Sequence, residues 1–82
     1  MMTYDQFTRR VVELLELDLV FPVNPFDGLF DEVGLDSFQT MQLIVVIEAL
    51  AGIDVPPLEI PEMFTVQDTY DYYGSVCALA VT

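Results

Sequence analysis

Apolar residues recur at spacings of three and four along three stretches of the chain, and each stretch opens on residues able to cap a helix. In the first, Thr3 and Gln6 make a capping box ahead of Tyr4, Phe7, Val11, Leu14 and Leu15, which predicts a helix over 3–17. Arg9, with Asp5 and Glu13 four residues to either side, belongs on its exposed face. In the second, Asp36 is the expected N-cap and Gln39 completes a variant of the box, ahead of a helix over 37–51 that Gly52 ends. The third opens at Thr65 and Asp68 with Val66, Tyr70 and Tyr73 on its inner face. It covers 66–73 with Gly74 as a plausible stop, or runs on through 75–81, which is apolar enough to continue.

Between the first two helices, Pro22, Pro25, Asp27-Gly28 and Gly34 predict a long irregular connection over 19–35. A loop of that length is usually functional or pinned by its own side chains. Phe21, Phe26, Leu29 and Phe30 are the candidates for pinning, and Leu29 and Phe30 are expected to turn inward. After Gly52, Ile53-Asp54-Val55-Pro56-Pro57 reads as an extended connector with Ile53 and Val55 directed inward, followed by a short turn of helix within 58–63. The prediction is one all-α domain over 1–82, a bundle of three main helices and one short one, with Leu14, Leu43, Ile47 and Tyr70 buried.

The second helix departs from the usual pattern. On a helical wheel Thr40, Leu43, Ile44, Ile47, Leu50 and Ala51 make a sufficient core face, which leaves Phe38, Met41 and Val45 on the other side. A helix apolar nearly all round is either buried or covers something, and a domain this small cannot easily bury one completely. The outer residues therefore read as a docking surface beside Ser37.

Composition narrows the choice of chemistry. With 82 residues there is one core and little room for a second site, so function is expected on the surface or in a small pocket. The net charge of −12, with Arg9 and Arg10 as the cations, repels nucleic acid and anionic lipid and favours a basic protein partner. No apolar run approaches the ~20 residues of a bilayer span and no basic leader precedes one, so a cytoplasmic chain is expected. Histidine is absent and Cys77 stands alone, which removes Ser-His and Cys-His pairs, an intrachain disulfide and thiolate zinc sites. Asp27, Asp31, Glu32 and Asp36 do not follow the ligand spacing of an EF-hand, where Gly28, Leu29 and Phe30 would be misplaced, so they read as a solvated acidic loop.

What remains is Ser37, a hydroxyl in the first turn of a helix. Unpaired N–H groups and the positive end of the macrodipole make that position suited to carry a phosphate. Gly34-Leu35-Asp36-Ser37, the Ile53 to Pro56 connector and Phe64-Thr65-Val66 occur here in an order and spacing that resembles the acyl and peptidyl carrier proteins. The resemblance implies a small four-helix bundle with a long first loop and 4′-phosphopantetheine attached covalently to Ser37. It also implies that Asp36 helps the phosphopantetheinyl transferase and its magnesium recognise the site, and that the chain is a non-catalytic, monomeric shuttle between loading and processing enzymes. Leu35, Phe38, Met41, Gln42, Val45 and Glu48 are the implied docking residues. Many fatty-acid carriers line the outer side of this helix with carboxylates, whereas Gln39, Gln42 and Ala49 stand here and only Glu48 is acidic. Asp36-Ser37-Phe38 is similar to the carriers that present a single D-alanine, which suggests a freestanding carrier of an amino acid or unusual acyl group in a specialised pathway. The alternative from another class is an acidic inhibitor of a basic enzyme, anchored by Tyr70, Tyr72 and Tyr73.

Overall fold

A computed structural model describes residues 1–52 and 62–80, and among them the chain forms three α-helices. Helix α1 spans Tyr4–Leu15, α2 spans Ser37–Ala51 and α3 spans Val66–Ala80, with α2 packed against both of the others. The all-helical bundle is as expected from the periodicity. The short helix expected within 58–63 and the inward residues Ile53 and Val55 lie wholly or largely outside the described residues.

Each helix starts where its cap predicts. Thr3 Oγ1 accepts the Gln6 N–H at 3.2 Å and Gln6 Oε1 accepts the Thr3 N–H at 3.0 Å, completing the box. The helix ends two residues before the expected limit because Glu16 turns into the left-handed region, φ 55°, and returns its N–H to Glu13 and Val12. For α3, Asp68 Oδ2 accepts N–H groups from Phe64 at 2.8 Å and Thr65 at 3.1 Å, while Thr65 Oγ1 accepts from Asp68 at 3.2 Å. These two backbone donors hold the Asp68 carboxyl below the ordinary carboxylate range.

The core gathers Phe7 and Val11 of α1, Leu43, Ile44 and Ile47 of α2, and Val66, Tyr73 and Val76 of α3, roofed by Val23, Leu29 and Leu35 from the connecting loop. Beneath that loop a cavity of about 30 Å³, lined by Phe7, Val11, Leu29, Leu43 and Val66 among others, has room for roughly one water.

Three residues expected inside are not fully buried. Leu14 is exposed, because α1 turns its last coil toward the core through Leu15, which follows Val11 by one turn and lines the cavity. Phe30 is also exposed: Leu29 takes the inward position, and the tight turn in which Glu32 and Val33 both donate to Gly28 O sends its successor out. Tyr70 is half-buried, with its ring against Tyr4 and Phe7 and its hydroxyl donating to Met2 O at 2.7 Å. Gly74 does not stop α3. The helix runs through it, and a Cβ there would stand 3.2 Å from Met1 Cε, so the glycine leaves room for the N-terminal residue to lie on the helix.

Candidate functional site

The approach to α2 is built almost entirely from backbone. Gly28 pairs with Thr65 in an isolated antiparallel bridge, and around it Leu29 N–H donates to Phe64 O at 2.9 Å, Val66 N–H to Asp27 O at 3.0 Å and Gln67 N–H to Pro25 O at 2.8 Å. The loop is thereby fastened to the start of α3. A second set folds it back toward α2: Val33 N–H donates to Gly28 O at 3.0 Å and Leu35 N–H to Leu29 O at 2.9 Å. Gly34 between them has φ 83° with nothing near the position of a Cβ, so its requirement is for the left-handed backbone and not for space. Phe26, expected to help pin the loop, is exposed, and Phe21 instead lies half-buried under the Arg9 guanidinium at 4.5 Å.

Asp36 follows in extended conformation, φ −94° and ψ 179°, as the N-cap of α2. Its Oδ1 accepts the Gln39 N–H at 2.7 Å, Gln39 Oε1 accepts the Asp36 N–H at 3.1 Å, and Asp36 O takes both Thr40 N–H at 3.0 Å and Thr40 Oγ1 at 2.9 Å. The capping box read from the sequence is complete. Of the first-turn donors, Gln39 and Thr40 are thus engaged, while those of Ser37 and Phe38 have no partner among the described residues. Ser37 is the first helical residue and is exposed. A hydroxyl here meets solvent at the positive end of the helix with two backbone donors beside it, a fixed environment for one anionic group.

Residues 5–73 match the family described as phosphopantetheine attachment site. The chain belongs to that family. No solved structure gives a significant match to it. Membership means covalent 4′-phosphopantetheine on a serine, and the residues present fit such a group. The phosphopantetheine family's serine needs an open approach and an opposed phosphodiester charge, and both exist at the start of α2. Ser75, the chain's other serine, lies beyond the matched residues, on α3, and donates its hydroxyl to Asp71 O at 3.1 Å.

Beyond the serine, α2 carries the exposed stripe expected of it: Phe38 is 70 % exposed, Met41 49 % and Val45 65 %, and Gln42 is exposed beside them. Two residues assigned to docking do not belong to it. Leu35 is buried in the core under the loop, because its N–H is drawn back to Leu29 O. Glu48 is only 8 % exposed. It comes one turn after Ile44 and faces α3, where burial and then the charge of Glu48 raise the Tyr72 phenol above its ordinary range. The outer side of α2 consequently presents no carboxylate beyond its cap.

The tyrosines behind the inhibitor alternative do not form an exposed anchor either. Tyr73 is buried and accepts the Met2 N–H at 3.0 Å, and Tyr70 and Tyr72 are half-buried against the core. Among the described residues no helix is long and apolar enough to cross a membrane.

Proposed function

We propose that this member of the phosphopantetheine family is a carrier protein whose attachment residue is Ser37, and that it presents an acyl or aminoacyl group to partner enzymes without making or breaking bonds of that cargo itself. The observation that carries the assignment is that Ser37 is the one serine within residues 5–73 and stands exposed in the first turn of α2. When attached, the arm supplies a terminal thiol that bears cargo as a thioester.

The chain's own residues have three tasks. Asp36, with Gln39, fixes the turn from which the Ser37 hydroxyl projects, and its carboxylate marks the site for the transferase. The N–H groups of Ser37 and Phe38 oppose the phosphodiester charge. Phe38, Met41, Gln42 and Val45 form the docking stripe, while the net charge of −12 speeds encounter with basic partners from a distance. Residues 1–82 act as one monomeric domain in the cytoplasm, loaded in a specialised pathway.

Incubation with coenzyme A and a broad-specificity phosphopantetheinyl transferase tests the assignment by intact mass. Wild type gains one phosphopantetheine, and Ser37→Ala gains none while unfolding at the same temperature, since the lost hydroxyl is exposed. Modification of Ser37→Ala, or none of wild type by a transferase active on a control carrier, would overturn it.

A further inference from the structure

Four of the chain's six phenylalanines are exposed: Phe26 at 81 %, Phe30 at 51 %, Phe38 at 70 % and Phe64 at 65 %. Phe38 is part of the α2 stripe. The other three sit on the two segments that pair ahead of α2 and α3, each within one residue of a backbone cross-link from Pro25, Asp27, Leu29 or Phe64. Side chains hold the same backbone from outside. Asn24 Oδ1 accepts the Phe26 N–H at 2.9 Å, Glu32 Oε2 the Gly28 N–H at 2.6 Å and Asp68 Oδ2 the Phe64 N–H at 2.8 Å. Scattered exposed apolar residues need no explanation, but three rings carried on one fastened junction are a prepared surface.

The position of that junction limits what covers it. The link from Leu35 N–H to Leu29 O ends two residues before Ser37, so the loop that carries Phe26 and Phe30 of this aromatic ridge leads directly into the serine, as the stripe follows it on the helix. A second copy would bring −12 against −12, and anionic lipid and nucleic acid are repelled likewise. Asp27, Asp31 and Glu32 are interleaved with the rings, which calls for an apolar surface rimmed by cations. An enzyme that uses the finished arm reaches the thiol from a distance. The enzyme that installs the arm must instead bring coenzyme A to the Ser37 hydroxyl itself, and a site that holds coenzyme A phosphates is cationic.

We infer that Phe26, Phe30 and Phe64 form a second contact surface, occupied by the phosphopantetheinyl transferase while it modifies Ser37. This rests on Ser37 being the attachment residue. The test is kcat/KM for transfer from coenzyme A by a purified transferase, followed by intact mass. The combined variant Phe26→Ala, Phe30→Ala, Phe64→Ala is expected to lose about a hundredfold, chiefly through KM, and leucine at all three positions to recover most of it. Leu14→Ala, an exposed apolar residue on α1, is expected to react as wild type does. Should the combined variant unfold, Phe26→Ala alone is expected to lose about tenfold. Wild-type kcat/KM in the folded alanine variant, or in Phe26→Ala, overturns the ridge while leaving Ser37 in place. A wild-type chain that is never modified overturns the Ser37 assignment and the ridge together.

Discussion

Helices α1 and α2 open on the same capping device and pack against the same core, yet their outer faces are opposites. On α1 the exposed positions are Asp5, Gln6, Arg9, Arg10 and Glu13, with Leu14 the one apolar exception, and the charges pair as Arg9–Asp5 at 2.9 Å and Arg10–Glu13 at 3.1 Å. Such exposed pairs are worth ~0.2–1 kcal/mol and answer only to water. On α2 the corresponding face is Phe38, Met41 and Val45. A bundle needs one apolar face per helix to fold, so the second apolar face of α2 contributes little to stability and leaves greasy surface in solvent. The two helices thus separate what the fold requires from what a partner requires.

The largest expected effect belongs to the inner face. Ile47 is completely buried and Leu43 nearly so, and replacing either with alanine is expected to cost ~2–5 kcal/mol. That approaches the whole stability of a small domain, so denaturant unfolding should show most of the folded population lost for Ile47→Ala. An equal loss from Val45→Ala would mean that the two faces of α2 are not distinct.

Val45→Glu is the next largest and moves a different quantity. Its side chain is exposed, so the unfolding free energy should stay within ~0.5 kcal/mol of wild type. Binding to a processing partner should weaken tenfold or more, mainly in the dissociation rate, because a carboxylate is placed in an apolar contact. Raising salt should slow association of wild type and variant alike, since the charge that steers them is spread over the domain. Arg10→Gln on the outer face of α1 should leave dissociation unchanged. Normal transfer by Val45→Glu, with transfer lost on neutralising Asp31 and Glu32, would move the docking surface to the loop.

Periodicity and caps were enough to read the helices, because both are local: Thr3 with Gln6 and Asp36 with Gln39 lie within one turn. What a wheel cannot supply is height along the helix. Met41 and Glu48, seven residues apart, share a side of α2, yet Met41 is half-exposed and Glu48 is covered where Tyr72 packs. The same limit put Leu14 inside, when only the choice between Leu14 and Leu15 at the end of α1 decides which is covered. The loop was least legible. Its anchor is hydrogen bonding between Pro25 to Leu29 and Phe64 to Gln67, a pairing of backbones nearly 40 residues apart that no side-chain pattern announces. The exposed first-turn position of Ser37 was legible because its setting is a cap, and caps are written in neighbouring residues.

A small effect on stability is expected from exchanging the two caps. Thr3 and Asp36 do the same structural work, each accepting an N–H from the third residue of its helix, at 3.2 Å and 2.7 Å. Threonine caps nearly as well as aspartate and lacks the charge that favours a helix N-terminus by ~0.3–1 kcal/mol, so Asp36→Thr should cost no more than about 1 kcal/mol. Thr3→Asp should gain a few tenths by the same reasoning. If the Asp36 carboxylate also marks the site for the transferase, Asp36→Thr should lose tenfold or more in kcat/KM of Ser37 modification, and Thr3→Asp should lose nothing. Thermal unfolding and intact mass on the same samples separate the two contributions. A folded Asp36→Thr that is modified at the wild-type rate would reduce Asp36 to a cap like Thr3, with recognition then resting on the apolar residues around the serine.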